Sequence, residues 1–334
     1  MSCSCGLCRW NDTFGLSDQL VLSLLCLRPE QRFPLLDNAK ENAISANETQ
    51  QLVLDLLWAV NSPSLLRPAE NQGSNSPLRV LHQRDIQTTQ LVDFMAKGNT
   101  RSLGRYFERL ISFWLRQIRQ VDVLHESFVI RVGKRTVGEI DFIFIDEHSR
   151  MTHWEVAVKF YLFSPDTYGQ GSHYLGPNAV DTLDRKLERL LQHQLPRSEK
   201  LFPDVEVREP YVKGRIFYPQ LRPRRSQTHL SLSDSHLVGS WVRHADVEML
   251  LSVADREPGN VAYRLLDKPH WLAEVYSYQG SELLMSSREI LVFAARHFSE
   301  NQRCLLIAQL EFDGAGYCES GRFFVVPNDW PAAT

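Results

Sequence analysis

The stretch VGEIDFIFIDEHSRMTHWEVAVKFY (137–161) holds two strand patterns separated by a polar turn. In its second half Trp154, Val156, Val158 and Phe160 alternate with Glu155, Ala157, Lys159 and Tyr161, the period of two that a strand imposes on its faces. In its first half Glu139 and Asp141 share one face, and Ile140, Phe142 and Phe144 the other. An acid inside so apolar a strand is costly without a partner. Adjacent strands lie about 4.8 Å apart, so Asp141 and Glu155 can converge on one hard cation, which prefers oxygen ligands.

Working outward, a third strand is expected at 126–132 (ESFVIRV), with Gly133-Lys134 and residues 146–150 as connections. Upstream, 103–120 reads as a helix: Leu103, Phe107, Leu110, Ile111, Trp114 and Ile118 line one side. Arg101, Arg105, Arg109, Arg116 and Arg119 fall on the opposite side, and Glu108 at the border offers a third carboxylate. Downstream come a helix near 179–194 and a strand at 210–219 (PYVKGRIFYP). Helix, three strands, helix, strand predicts an α/β fold with a mixed sheet whose faces the helices cover.

The organisation expected is an N-terminal extension at 1–45 with a helix at 18–27, then a helical segment and linker at 46–99. Within the latter, 48–60 is a helix and 67–77 a loop. The core follows at 100–220 and an α+β region at 221–334. That last region carries helices near 244–253 and 286–298 and strands near 304–311 and 321–326. Its pattern fits both an extension of the same sheet and a second lobe.

Composition narrows the function classes. The 334 residues are 43% hydrophobic and 23% charged, which excludes collagen, a disordered chain and a disulfide scaffold. A net charge of −3 excludes a whole-protein polycation but leaves room for a local basic groove. No apolar run approaches the roughly 20 residues of a membrane span. Residues 20–27 lack a small-residue cleavage site, so no signal peptide is expected and the compartment expected is the cytoplasm. Cys3, Cys5 and Cys8 cluster without the second pair that a structural zinc site needs. Gly-rich phosphate loops, Ser/His/Asp orderings and zinc-protease helices are missing from the sequence.

At GRYFERL (104–110), VGEIDFIF (137–144) and HWEVAVKF (153–160) the chain resembles the PD-(D/E)XK, or restriction-endonuclease-like, nuclease superfamily over about residues 100–220. The Gly-Glu-Ile-Asp spelling is similar to branches that process DNA ends or cut modified or foreign DNA. The whole chain, with GPNAVDTLDRKLERLL (176–191) and FFVVPNDWP (323–331), looks similar to a bacterial family of unknown function placed near that superfamily. The resemblance implies an αβββαβ core and metal-dependent hydrolysis of phosphodiester bonds, in DNA more than RNA. It assigns Mg²⁺ or Mn²⁺ to Asp141 and Glu155, the attacking water to Lys159, and a supporting role to Glu108. Arg105, Arg109 and Arg116, with Arg222, Arg224 and Arg225, would contact phosphates.

One departure stands out. The usual acid and lysine are two residues apart, whereas Glu155 and Lys159 are four apart, about 13 Å along a strand. Ala157 occupies the usual acid's place. Lys159 could lean back toward Glu155, or a β-bulge could shorten the gap; otherwise Lys186 or Lys213 could substitute from another element. Plainer readings stand beside these. Asp141 could form a structural ion pair, and Glu155 and Lys159 a solvated edge. Glu108 could be a surface acid, His153 an ordinary strand-start residue, and Trp241 and Trp271 packing residues. Lys268 and Trp271 resemble a family feature with no derived role. The rival functions are a catalytically inactive relative that binds nucleic acid or protein, and an unrelated α/β enzyme built on the same carboxylates.

Overall fold

A computed structural model describes residues 46–67, 79–166, 172–220, 229–254, 260–278, 281 and 283–331. The helix expected at 18–27, the three N-terminal cysteines, most of the 67–77 loop, and Arg222, Arg224 and Arg225 lie outside the described residues.

Three helices open the described chain: α1 (Ala46–Asn61), α2 (Thr88–Ala96) and α3 (Leu103–Phe113). Ser102 caps α3 by accepting from the Arg105 amide, and the helix widens into a π turn at Trp114–Ile118. Then come β1 (Asp122–Val132), β2 (Arg135–Ile145), β3 (Met151–Phe163) and the short β4 (Tyr174–Leu175). Helix α4 (Leu183–Glu188), capped by Thr182, runs into a second π turn at Arg189–Gln194, followed by α5 (Arg197–Leu201) and β5 (Val207–Pro219). The remainder is β6 (Leu237–Arg243), α6 (Val247–Ala254), β7 (Val261–Leu265), β8 (Tyr276–Tyr278), α7 (Ser287–Glu300), β9 (Leu305–Phe312) and β10 (Gly316–Val326).

The helix, three strands, helix, strand order therefore holds, and the later strands extend the same sheet. Its order is β1-β2-β3-β5-β6-β10-β9-β7, with β4 on β3 and β8 on β10. Strands β3, β5, β6 and β10 run parallel, and antiparallel neighbours flank them on both sides. The sheet is mixed, as the crossover helix demands.

Helices cover both faces. On one, a single core runs from Phe142, Phe144, Trp154, Val156 and Phe160 to Phe217, Leu306 and Phe324 beneath α1 and α3. On the other, Leu183 and Leu187 of α4 and Leu190 of the following π turn pack on Tyr161, Val212 and Ile216, and α6 and α7 pack on Tyr263, Ile307 and Phe323. Among the described residues no helix is long and apolar enough to cross a membrane.

Ile140 departs from the expected face. It packs with Ile143 and Val205 rather than with Phe142 and Phe144. On the neighbouring strand Ser127, between the pairs Glu126↔Phe142 and Phe128↔Ile140, has φ 51°, and the pairing keeps its register across it.

Candidate functional site

Strands β2 and β3 are paired over residues 142–145 and 151–154, and then they part. Asp141 stands at the fork, where its Oδ2 accepts a hydrogen bond from the Val156 amide at 2.8 Å. A side-chain oxygen thus takes the place of the next ladder bond. Glu155, adjacent to that amide, points to the opposite face from Val156 and is buried. Burial and then the charge of Glu155 push the Asp141 carboxyl up to about 8, against the pull of the Val156 amide. Glu108 and Glu139 add to the repulsion. Four acids from α3, β2 and β3 therefore share one field.

Both oxygens of Glu155 are engaged. His153 Nε2 meets Oε1 at 3.1 Å, and Gln194 Nε2 donates to Oε2. Behind them, His153 Nδ1 lies 2.9 Å from Ser198 Oγ, which accepts from Arg208 Nε at 2.9 Å. Lys186 Nζ donates to Gln194 Oε1 at 3.1 Å. The His153 ring is buried inside this network, so it is not the ordinary strand-start residue of the plainer reading. Its position two residues before Glu155, on the same strand face, was the available sequence signal. Gln194 and Ser198, missed in the sequence, carry no local signal; the π turn and α5 deliver them.

The lysines sort themselves. Lys159 does not reach back to Glu155: its Nζ pairs with Asp181 at 2.5 Å, beside the Tyr161 hydroxyl. Lys213 lies on the other face, where it donates to the carbonyls of Val60 and Ser62 at the end of α1. Burial pushes it down to about 7. Lys186 sits in the field of the site: burial and then Lys159 lower its pKa, while Asp141 and Glu155 oppose the fall.

The expected cationic face of α3 is largely engaged within the chain. Arg105 bridges Glu108 at 2.8 Å and Glu139 at 3.1 Å, which raises its own pKa through those partners. Burial raises Glu108, and Arg105 resists that shift. Arg109 donates to the Phe94 carbonyl with its guanidinium 3.5 Å from that ring's centre, tying α3 to α2. Arg116 pairs with Glu126 at 3.0 Å. From α5, Arg197 lies across the backbone of Gly138 and donates to the Glu139 carbonyl at 3.2 Å. A Cβ on Gly138 would come within 2.6 Å of that guanidinium. Trp241 and Trp271 are packing residues, on Trp330 and on Phe160 and Phe324, and the Lys268 ammonium lies 4.6 Å from the centre of the Trp271 ring.

The donor set fits a magnesium-like cation in one specific sense. Among the described residues no group of three or more His, Cys, Asp or Glu side chains is arranged to hold a metal ion. Mg²⁺, however, is commonly held by one or two carboxylates, with waters and substrate phosphates completing its shell. Asp141 and Glu155 supply two hard oxygen donors, and the charge of Glu155 adds to burial in opposing ionisation of Asp141.

A family model described as a domain of unknown function (DUF1853) matches residues 54–326. No curated protein and no solved structure matches the chain.

Proposed function

The chain belongs to the DUF1853 family, and from that premise we propose that it is a metal-dependent nuclease of restriction-endonuclease-like architecture. One observation carries the reading: Asp141 is held where β2 leaves β3, next in the sheet to the buried Glu155, and its carboxyl is raised by burial and by the charge of Glu155. The topology β1-β2-β3-β5, with β3 and β5 parallel across α4, supports it.

Asp141 and Glu155 would hold Mg²⁺ or Mn²⁺. Such an ion neutralises phosphate charge and acidifies water. Lys186 takes the part that the sequence pattern gave to Lys159. Its lowered pKa and its nearness to both acids suit an ammonium that donates to a phosphate oxygen or orients the attacking water. Arg105 and Arg197 flank Glu139 and can turn outward to phosphates, with Glu108 released as Arg105 moves. Glu155, clamped on both oxygens, needs no reorganisation.

The test incubates the purified chain with labelled single-stranded, double-stranded and flapped DNA, and with RNA, in Mg²⁺ or Mn²⁺. Cleavage that Asp141→Ala abolishes is expected. Cleavage that survives the substitution refutes the site. Binding without metal-dependent cleavage on every substrate identifies the catalytically inactive relative instead.

A further inference from the structure

Two hydrogen-bond chains converge on Glu155, and each starts at a cation. Arginine and lysine are donors without acceptor atoms, which fixes the first link of each chain. Arg208 Nε donates a hydrogen bond to Ser198 Oγ at 2.9 Å. The serine hydroxyl then faces His153 Nδ1 at 2.9 Å, with the Leu195 carbonyl farther away at 3.3 Å. An imidazole that accepts at Nδ1 carries its proton on Nε2, which points at Glu155 Oε1, 3.1 Å away. On the other side Lys186 Nζ donates to Gln194 Oε1, so the amide nitrogen faces Glu155 Oε2. Each carboxylate oxygen keeps a further lone pair.

Here the hydrogen bonds run from Arg208 through Ser198 and His153, and from Lys186 through Gln194, before they reach Glu155. His153 and Ser198 are fully buried and Glu155 nearly so. Burying three polar side chains at one point stabilises a fold poorly compared with apolar packing, so their value lies in orientation.

We propose that His153, backed by Ser198, and Gln194, backed by Lys186, are positioning residues that clamp the Glu155 carboxylate in a divalent-cation site. The inference deepens the nuclease reading and rests on it, because it presumes that Glu155 is a ligand. Groups behind ligands typically change metal affinity by about 10–100-fold when removed.

The test is calorimetric titration of the full chain with MnCl2 in the absence of substrate, with thermal melts as the control for folding. His153→Ala is expected to weaken Mn²⁺ binding by about 10–100-fold. His153→Gln, whose amide nitrogen can stand in for Nε2, is expected to recover most of that loss. Gln194→Ala, at a half-buried position, should also weaken binding, and it decides the matter if His153→Ala does not fold. Wild-type affinity in the folded His153→Ala or Gln194→Ala protein overturns the clamp while leaving the metal reading intact. A wild-type chain that binds no Mn²⁺ overturns both.

Discussion

The Val156 amide donates to Asp141 Oδ2 at 2.8 Å, across the point where β2 and β3 cease to pair. That bond fixes an acid at a fork in the sheet, next to the buried Glu155, in a place where ordinary ladder bonds would leave no room for a ligand. The arrangement is unfavourable without a counter-charge, because burial and Glu155 both oppose ionisation of Asp141. A site that destabilises its own fold is a common mark of function.

Asp141→Asn tests that tension. The amide oxygen can still accept from Val156, while the charge is gone. A carboxyl raised in the folded state contributes stability at pH below about 4 that is lost as pH rises through about 8. The metal-free Asn variant should therefore match wild type below about pH 4 and exceed it at pH 8. The gain should be on the order of 1 kcal/mol, or about 2–4 °C in melting temperature. The same variant should cleave nothing. A lower melting temperature at pH 8 would show that the Asp141 charge is compensated.

Lys186 and Lys159 should rank in the reverse of their order in the linear motif. Lys186→Ala should reduce the cleavage rate by about 10²–10³-fold, as loss of one charged donor at a reacting phosphate does. Lys159→Ala removes a half-exposed pair with Asp181 and should leave the rate close to wild type. Single-turnover rates at saturating metal measure both. The opposite ranking would return the role to Lys159.

How far the sequence reached follows from the range of each contact. The alternation of Trp154, Val156, Val158 and Phe160 is local, and those four residues do line one face of the sheet core. Asp141 and Glu155 were legible for the same reason. The partner of Lys159 was not, since Asp181 lies 22 residues away in the approach to α4. Ile140 was misplaced because strict alternation was carried past Asp141 to a part of β2 that no longer pairs with β3. The choice between one sheet and two lobes depended on β10 pairing with β6 about 80 residues earlier in the chain. Periodicity carries no information about that partner.

Asp55 of α1 should make stability pH-dependent far from the candidate site. It is fully buried and accepts from Ala273 N, Tyr106 Oη and Gln51 Nε2. Burial pushes its carboxyl up to about 6 despite those donors. Its contribution is thus complete below about pH 4 and fades as pH rises through 6. Asp55→Asn should flatten the stability profile between pH 5 and 7. Asp55→Ala should cost on the order of 2–4 kcal/mol throughout, by leaving the Ala273 amide and the Tyr106 hydroxyl unmatched. Urea titrations at pH 5, 6 and 7 measure both, and a wild-type profile as steep as before in the Asn variant would assign the slope to another group.

Gly214 should prove the least replaceable glycine of the sheet. It faces Lys159 in the parallel β3–β5 ladder, with φ 155°. A Cβ there would lie 1.8 Å from the Lys159 carbonyl oxygen, a backbone atom that can retreat only if the two central strands separate. Those strands carry Tyr161, Ile216 and Phe217, all essentially fully buried, so separation opens the core. Gly214→Ala should cost on the order of 3–5 kcal/mol. Gly314→Ala is the control: φ is 95°, but open space surrounds its Cβ, so the conformational penalty alone applies, about 1 kcal/mol. Equal losses for the two variants in urea unfolding would mean that left-handed conformation, and not the contact with Lys159, reserves position 214 for glycine.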